Sequence, residues 1–95
     1  MGILDFFKKK NKVDPEQQRR EYLLQNGRIT DGTITDSVTT ENGELVYYYY
    51  SIHGVDFESS EILTEEQMQD PLKYAPGARV GVRFDPKQHG NSILM

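Results

Sequence analysis

Few residues of this chain have the type and spacing that chemistry requires. Its only histidines, His53 and His89, each stand beside a glycine in turn-like sequence. A protein-bound zinc or copper ion needs several ligands converging, and neither an HxH nor an HxxxH spacing occurs. Both imidazoles are therefore expected to be solvated turn residues. Asp56, Glu58 and Glu61 lack the loop of an EF-hand and are expected to form a solvated acidic face. Ser37, Ser51, Ser59, Ser60 and Ser92 have no nucleophile-elbow context, and no glycine-rich phosphate loop is present. Asp85, followed by Pro86, suits a cap on the next turn better than a catalytic carboxylate. No catalytic, metal-binding or cofactor-binding residue is expected, and the chain is read as a non-enzyme that uses no cofactor.

Two features favour contact with another surface. Ile3, Leu4, Phe6 and Phe7 precede Lys8, Lys9, Lys10 and Lys12, a pattern that is amphipathic on a helix. Burying such side chains is worth about 1.5–3 kcal/mol each, and lysines are drawn to anionic headgroups, so this leader could give weak, reversible membrane attachment or engage a partner. The bland alternatives are a disordered tail or a segment docked on its own domain. Gly2 does not make a myristoylation signal, because Phe6 stands where serine or threonine is wanted. The second feature is the pair Tyr47 and Tyr49, expected to point outward from a strand. They could offer a stacking surface for a peptide or a single-stranded nucleic acid, or simply pack across strands. The acidic neighbours Glu44, Asp56 and Glu58 disfavour nucleic acid, which needs a basic groove.

The elements that position these residues follow from period and punctuation. Asp14, Pro15 and Gln17 read as N-cap, first helical residue and capping-box partner of a helix that stops at Asn26-Gly27. Its only apolar residues, Tyr22, Leu23 and Leu24, are expected to rest one turn on the domain. Beyond it, five strands are expected near residues 28–38, 44–53, 55–63, 78–84 and 91–95, with turns at Asn42-Gly43 and His53-Gly54. Alternation places Tyr48, Tyr50, Ile52, Val55, Phe57, Val80, Val82 and Phe84 in one core. Gly32 is expected to mark a bulge or bend in the first strand. Thr64-Glu65-Glu66-Gln67 reads as the start of a helical turn, and Leu63, Met68, Leu72 and Tyr74 are expected to plug one end of the sheet. The result is a mainly β fold: a small five-stranded antiparallel meander or barrel-like sheet with one N-terminal helix. Its organisation is a 1–12 leader, a 13–27 helix and a 28–95 β-domain.

At 95 residues the chain holds one domain, and with no cysteine it has neither disulfides nor thiolate metal ligands. The formal charge of −4 divides into +3 on residues 1–12 and −7 on the remainder. An acidic body repels phosphates, whereas the basic leader is attracted to anionic lipid or an acidic protein. No run reaches the roughly 18 apolar residues of a membrane span, and no secretory h-region is present. A cytoplasmic location is expected, peripheral at the inner membrane if the leader engages lipid.

Several motifs together resemble a bacterial domain-of-unknown-function family, number thirty-five ninety-two. They are Gly27-Arg28 leading to Gly32-Thr33-Ile34, then Tyr48-x-Tyr50-x-Ile52-x-Gly54-x-x-Phe57, then Pro76-Gly77-x-x-Val80-x-Val82-x-Phe84-Asp85-Pro86, and Asn91-Ser92. The likeness covers about residues 27–95. Phe84 replaces the family's usual tyrosine, and Gln88-His89-Gly90 stands where a second proline is usual. Many members carry the domain beside transmembrane helices, which implies work at or near a membrane, and the family brings no catalytic residues. Separately, Leu4-Asp5-Phe6-Phe7 followed by lysines is similar to the membrane-targeting start of the bacterial Min-system topological specificity factor. The expected function is a binding or accessory module with an unidentified protein partner and peripheral membrane contact through Ile3, Leu4, Phe6, Phe7, Lys8, Lys9 and Lys10. The alternative is a nucleic-acid-binding small β-barrel.

Overall fold

The structure, a computed structural model, describes residues 14–95. The leader and every contact expected of it lie outside the described residues. Helix α1 (Pro15–Asn26) is followed by strands β1 (Arg28–Thr40), β2 (Gly43–Ile52) and β3 (Val55–Ile62). A short helix α2 (Glu65–Met68) and a 3-10 turn (Pro71–Tyr74) then lead to β4 (Arg79–Asp85) and β5 (Gln88–Leu94). The strands form one antiparallel sheet in the order β3-β2-β1-β4-β5, curled into a nearly closed barrel.

Curling follows from the length of β1 and from Gly32. Residues 28–33 of β1 pair with β4, residues 32–40 pair with β2, and only Gly32 and Thr33 pair on both sides. A Cβ at Gly32 would lie 2.6 Å from Val82 Cγ2 and 2.9 Å from the Tyr49 carbonyl, so only glycine lets the strands close over this point. Of the bulge or bend expected at Gly32, the bend is at the glycine and the bulge lies slightly further on, between Ile34 and Asp36, where the register with β2 slips. Ile29, ahead of that point on β1, faces outward and is exposed.

The interior holds Ile34, Val46, Tyr48, Tyr50, Ile52, Leu63, Tyr74, Val80, Val82, Phe84 and Leu94, with Phe57 partly buried against them. Of the expected core only Val55 fails: it is exposed beside the β2–β3 turn. Tyrosine suits this interior because its ring fills volume while its hydroxyl reaches a partner. Tyr48 shares a 2.8 Å hydrogen bond with Ser92 Oγ, and Tyr50 donates at 2.5 Å to the His89 carbonyl, both on β5. Tyr74 likewise donates at 2.8 Å to the Met95 carbonyl. Leu63 and Tyr74 do plug one end of the barrel, whereas Met68 and Leu72 are exposed, a correction to the expected four-residue plug. The Thr64 turn forms as expected and closes a full capping box with Gln67.

Helix α1 lies outside the barrel against β4 and β5. Leu23 and Ile93 are fully buried but belong to no part of the interior cluster, because Ile93 pairs with Arg83 on the opposite face from Leu94 and Val82. This is a second, small apolar layer. The helix also does more than rest one turn: Arg19 and Arg20, a turn earlier, reach the sheet. Asp14 caps the Glu16 amide at 3.1 Å, but Gln17 bonds Glu21 instead of completing a capping box.

Candidate functional site

The seam between edge strands β3 and β5 is closed by side chains where no strand pairing occurs. Glu61 points inward from β3, opposite Val46, and is buried. One carboxylate oxygen accepts from the Leu94 amide of β5 at 2.5 Å, and the other accepts from Arg20 Nη1 of α1 at 2.8 Å. Arg19 Nη1 donates to the Ser92 carbonyl at 2.7 Å and to Asn91 Oδ1 at 2.9 Å, while Glu16 steadies its guanidinium at 2.7 Å. Glu61 therefore corrects the reading of a solvated Asp56-Glu58-Glu61 face, since a buried carboxylate with both oxygens paired is structural. The seam matters for function because an open strand edge is itself a docking site.

Away from that seam, the outer face of β1, β2 and β3 carries exposed apolar residues. Val38 is directly opposite Leu45, and Leu45 is directly opposite Ile62, which makes one apolar row across three strands. The next rows run Asp36–Tyr47–Ser60 and Thr33–Tyr49–Glu58. Val38, Tyr47, Tyr49 and Ile62 are 42, 40, 39 and 37% exposed, so the patch is continuous and partly solvated. Tyr47 and Tyr49 point outward as the alternation required. Carboxylates rim the patch: Asp36 beside Tyr47, and Asp56 and Glu58 around a hollow against Tyr49. A cleft of about 500 Å³ continues the apolar row toward α1, lined by Leu45, Ile62, Glu16 and Arg20 among others.

The Val38–Leu45–Ile62 row escaped the sequence because of the hairpin centre. Asn42-Gly43 suggested a turn centred on that pair, whereas the turn residues are Glu41 and Asn42, with Thr40 opposite Gly43. That displacement moves Val38 from opposite Tyr47 to opposite Leu45. The expected His53-Gly54 turn is correctly centred, with φ of +52° and +82°.

The histidines meet at the other end of the barrel. His89 lies on β5 and is half-buried, not in a solvated turn, because β5 begins at Gln88. Its ring packs edge-on against Phe84 (5.4 Å) and Phe57 (6.1 Å), and His53 approaches it at 6.3 Å. Among the described residues no group of three or more histidines and carboxylates is placed to hold a metal ion. Asp85 caps the next turn by accepting from the Lys87 amide at 2.8 Å, as its position before Pro86 suggested.

A second cleft, of about 340 Å³, lies at the plugged end and is lined by Leu63, Met68, Pro71, Tyr74, Ser37 and Glu44 among others. Hydrogen bonds from the Ser37 and Thr39 hydroxyls hold the Glu44 carboxyl below its usual range. That carboxylate is thus satisfied within its own hairpin.

No helix among the described residues is long and apolar enough to cross a membrane. No curated protein and no solved structure matches the chain. A family model described as a domain of unknown function (DUF3592) matches residues 25–95, which takes in the end of α1 and the whole barrel. The chain belongs to the DUF3592 family, and the motifs from Gly27 to Ser92 are the barrel's turns, inward rings and closing strand.

Proposed function

We propose that this chain is a non-enzymatic binding module that works at the cytoplasmic face of a membrane, with the outer β1–β3 surface presented to a protein partner. The observation that carries this reading is the apolar row Val38–Leu45–Ile62 continued by Tyr47 and Tyr49, an exposed patch of the kind that marks interaction sites. The leader supports the membrane part through its composition, four large apolar residues followed by lysines. A nucleic-acid role is disfavoured because Asp56 and Glu58 flank Tyr49 and would repel phosphates.

Vesicle flotation tests the membrane part. The full chain should float with vesicles rich in phosphatidylglycerol at low salt and stay behind with neutral vesicles. Exchanging Phe6 and Phe7 for serine should abolish flotation. Equal flotation of both proteins, or none with anionic vesicles, would overturn it.

A further inference from the structure

We infer that the cleft at the plugged end of the barrel binds a protonated primary amine on a short aliphatic stem, with Glu44 holding the ammonium and Leu63, Met68 and Tyr74 holding the stem. Strand period sets this cleft apart from the outer β1–β3 face. Ser37 is opposite the buried Val46, and Thr39 is opposite Glu44, so these residues share the inward face of the β1–β2 hairpin, whereas Val38 and Leu45 lie on the outward one.

Three observations carry the assignment. The first is a frame built in advance. The Leu63 amide donates to the Glu44 carbonyl on β2 at 2.9 Å. Further along the chain, the Gly77 amide donates to the Ile34 carbonyl on β1 at 2.7 Å, and the Ile34 amide donates back to the Ala78 carbonyl at 2.9 Å. The segment that walls the cleft is thus pinned to both strands of the hairpin, and Pro71 and Pro76 stiffen it in between. The second is the lining. An apolar wall with a few convergent polar groups is the pattern of a small-ligand site, and the volume of about 340 Å³ stands at the small end of the usual ~300–1,000 Å³.

The third is charge. Glu44 lines the cleft beside Ser37, and donation from the Ser37 and Thr39 hydroxyls keeps its carboxylate ionised. Those neutral hydroxyls satisfy hydrogen bonds but cancel no charge. Among the described residues no basic side chain lines the cleft, and no ion pair reaches Glu44. Lys73, on the same walling segment, lies over the Tyr74 ring at 5.4 Å and lines a neighbouring hollow instead. A negative charge between low-dielectric walls focuses its field into the cleft and draws in a cation. The apolar walls favour a cation that carries a hydrocarbon body, and an ammonium brings N–H donors that Glu44 and Ser37 Oγ can accept.

Titration of the isotope-labelled full chain with n-hexylammonium chloride, followed in amide spectra at neutral pH and fixed ionic strength, tests the site. Saturable shifts should centre on the amides of Ser37, Glu44, Leu63, Met68 and Ala75. Hexan-1-ol, of equal length without the charge, should bind about tenfold or more weakly, and hexanoate should give no saturable shift. Glu44→Gln keeps the shape and an acceptor oxygen, and it should weaken hexylammonium by about tenfold or more while the spectrum away from the cleft stays in place. Glu58→Gln, the same change of charge on the exposed outer face, should leave the affinity unchanged. N-acetyl-lysine N-methylamide separates the two sources of such an amine: tighter binding than hexylammonium assigns the stem to a lysine side chain of a polypeptide, weaker binding assigns it to a free amine, and either upholds the site. Equal binding of hexan-1-ol and hexylammonium, an unchanged affinity in Glu44→Gln, shifts centred on Tyr47, Tyr49 and Ile62, or no saturable shift at all would overturn it.

Discussion

Hydroxyl groups explain why the barrel interior uses tyrosine on β2. Burial pushes the Tyr48 and Tyr50 phenols above their ordinary value, so both are neutral at neutral pH. Their stabilisation is complete below a tyrosine's ordinary value and is lost as pH rises through the raised one. The urea midpoint should therefore fall as pH climbs above about 10, and Tyr48→Phe should make that fall shallower while costing about 1 kcal/mol at neutral pH. Phe84, stacked on Tyr50 at 6.4 Å and edge-on to His89, is a purely apolar neighbour. Phe84→Ala should destabilise by about 3–5 kcal/mol, against less than about 1 kcal/mol for the outward Tyr47→Ala. Chemical denaturation of the two variants checks the face assignment; comparable losses would contradict it. These inward and outward roles were legible from alternation alone, because a strand's period leaves a residue only two sides to face. Glu61 was not: its position on the inner face could be read, but nothing in the sequence revealed that α1 would bring Arg20 to it.

At the scale of elements, the closing of the barrel depends on one glycine and one helix. Gly32→Ala should cost about 1–3 kcal/mol, since the added methyl meets Val82 and the Tyr49 carbonyl with no room to yield. A thermal melt checks this, and an unchanged midpoint would mean that β1 is not pinched there. Glu61→Ala should cost about 2–4 kcal/mol, because it leaves the Leu94 amide without its acceptor and Arg20 without its counter-charge. The helix itself was readable from Asp14-Pro15 and Gly27, but its docking was not. Only Leu23 is buried on it, so its hold on the sheet is largely polar, and polar contacts across more than 40 residues leave no periodic trace. Three of the four strand pairings were within reach, because a short turn joins β1 to β2, β2 to β3 and β4 to β5, whereas the pairing of β1 with β4 has no local signal. The exact rows on the outer face needed the hairpin centre, which Asn42-Gly43 misplaced.

On the scale of the whole molecule, the described residues form a sealed interior, a helix-clasped seam and an exposed apolar face on β1–β3. The division assigns a single surface to partners only if the seam is shut, since free β3 and β5 edges would accept an added strand instead. Hydrogen exchange at the Leu94 amide tests this most directly. Held by the buried Glu61 carboxylate, that amide should exchange as slowly as the amides of β1 and β4, requiring near-global unfolding. Exchange at the rate of an unprotected edge amide would show an open barrel, and would move the site of interaction from the β1–β3 face to the strand edges.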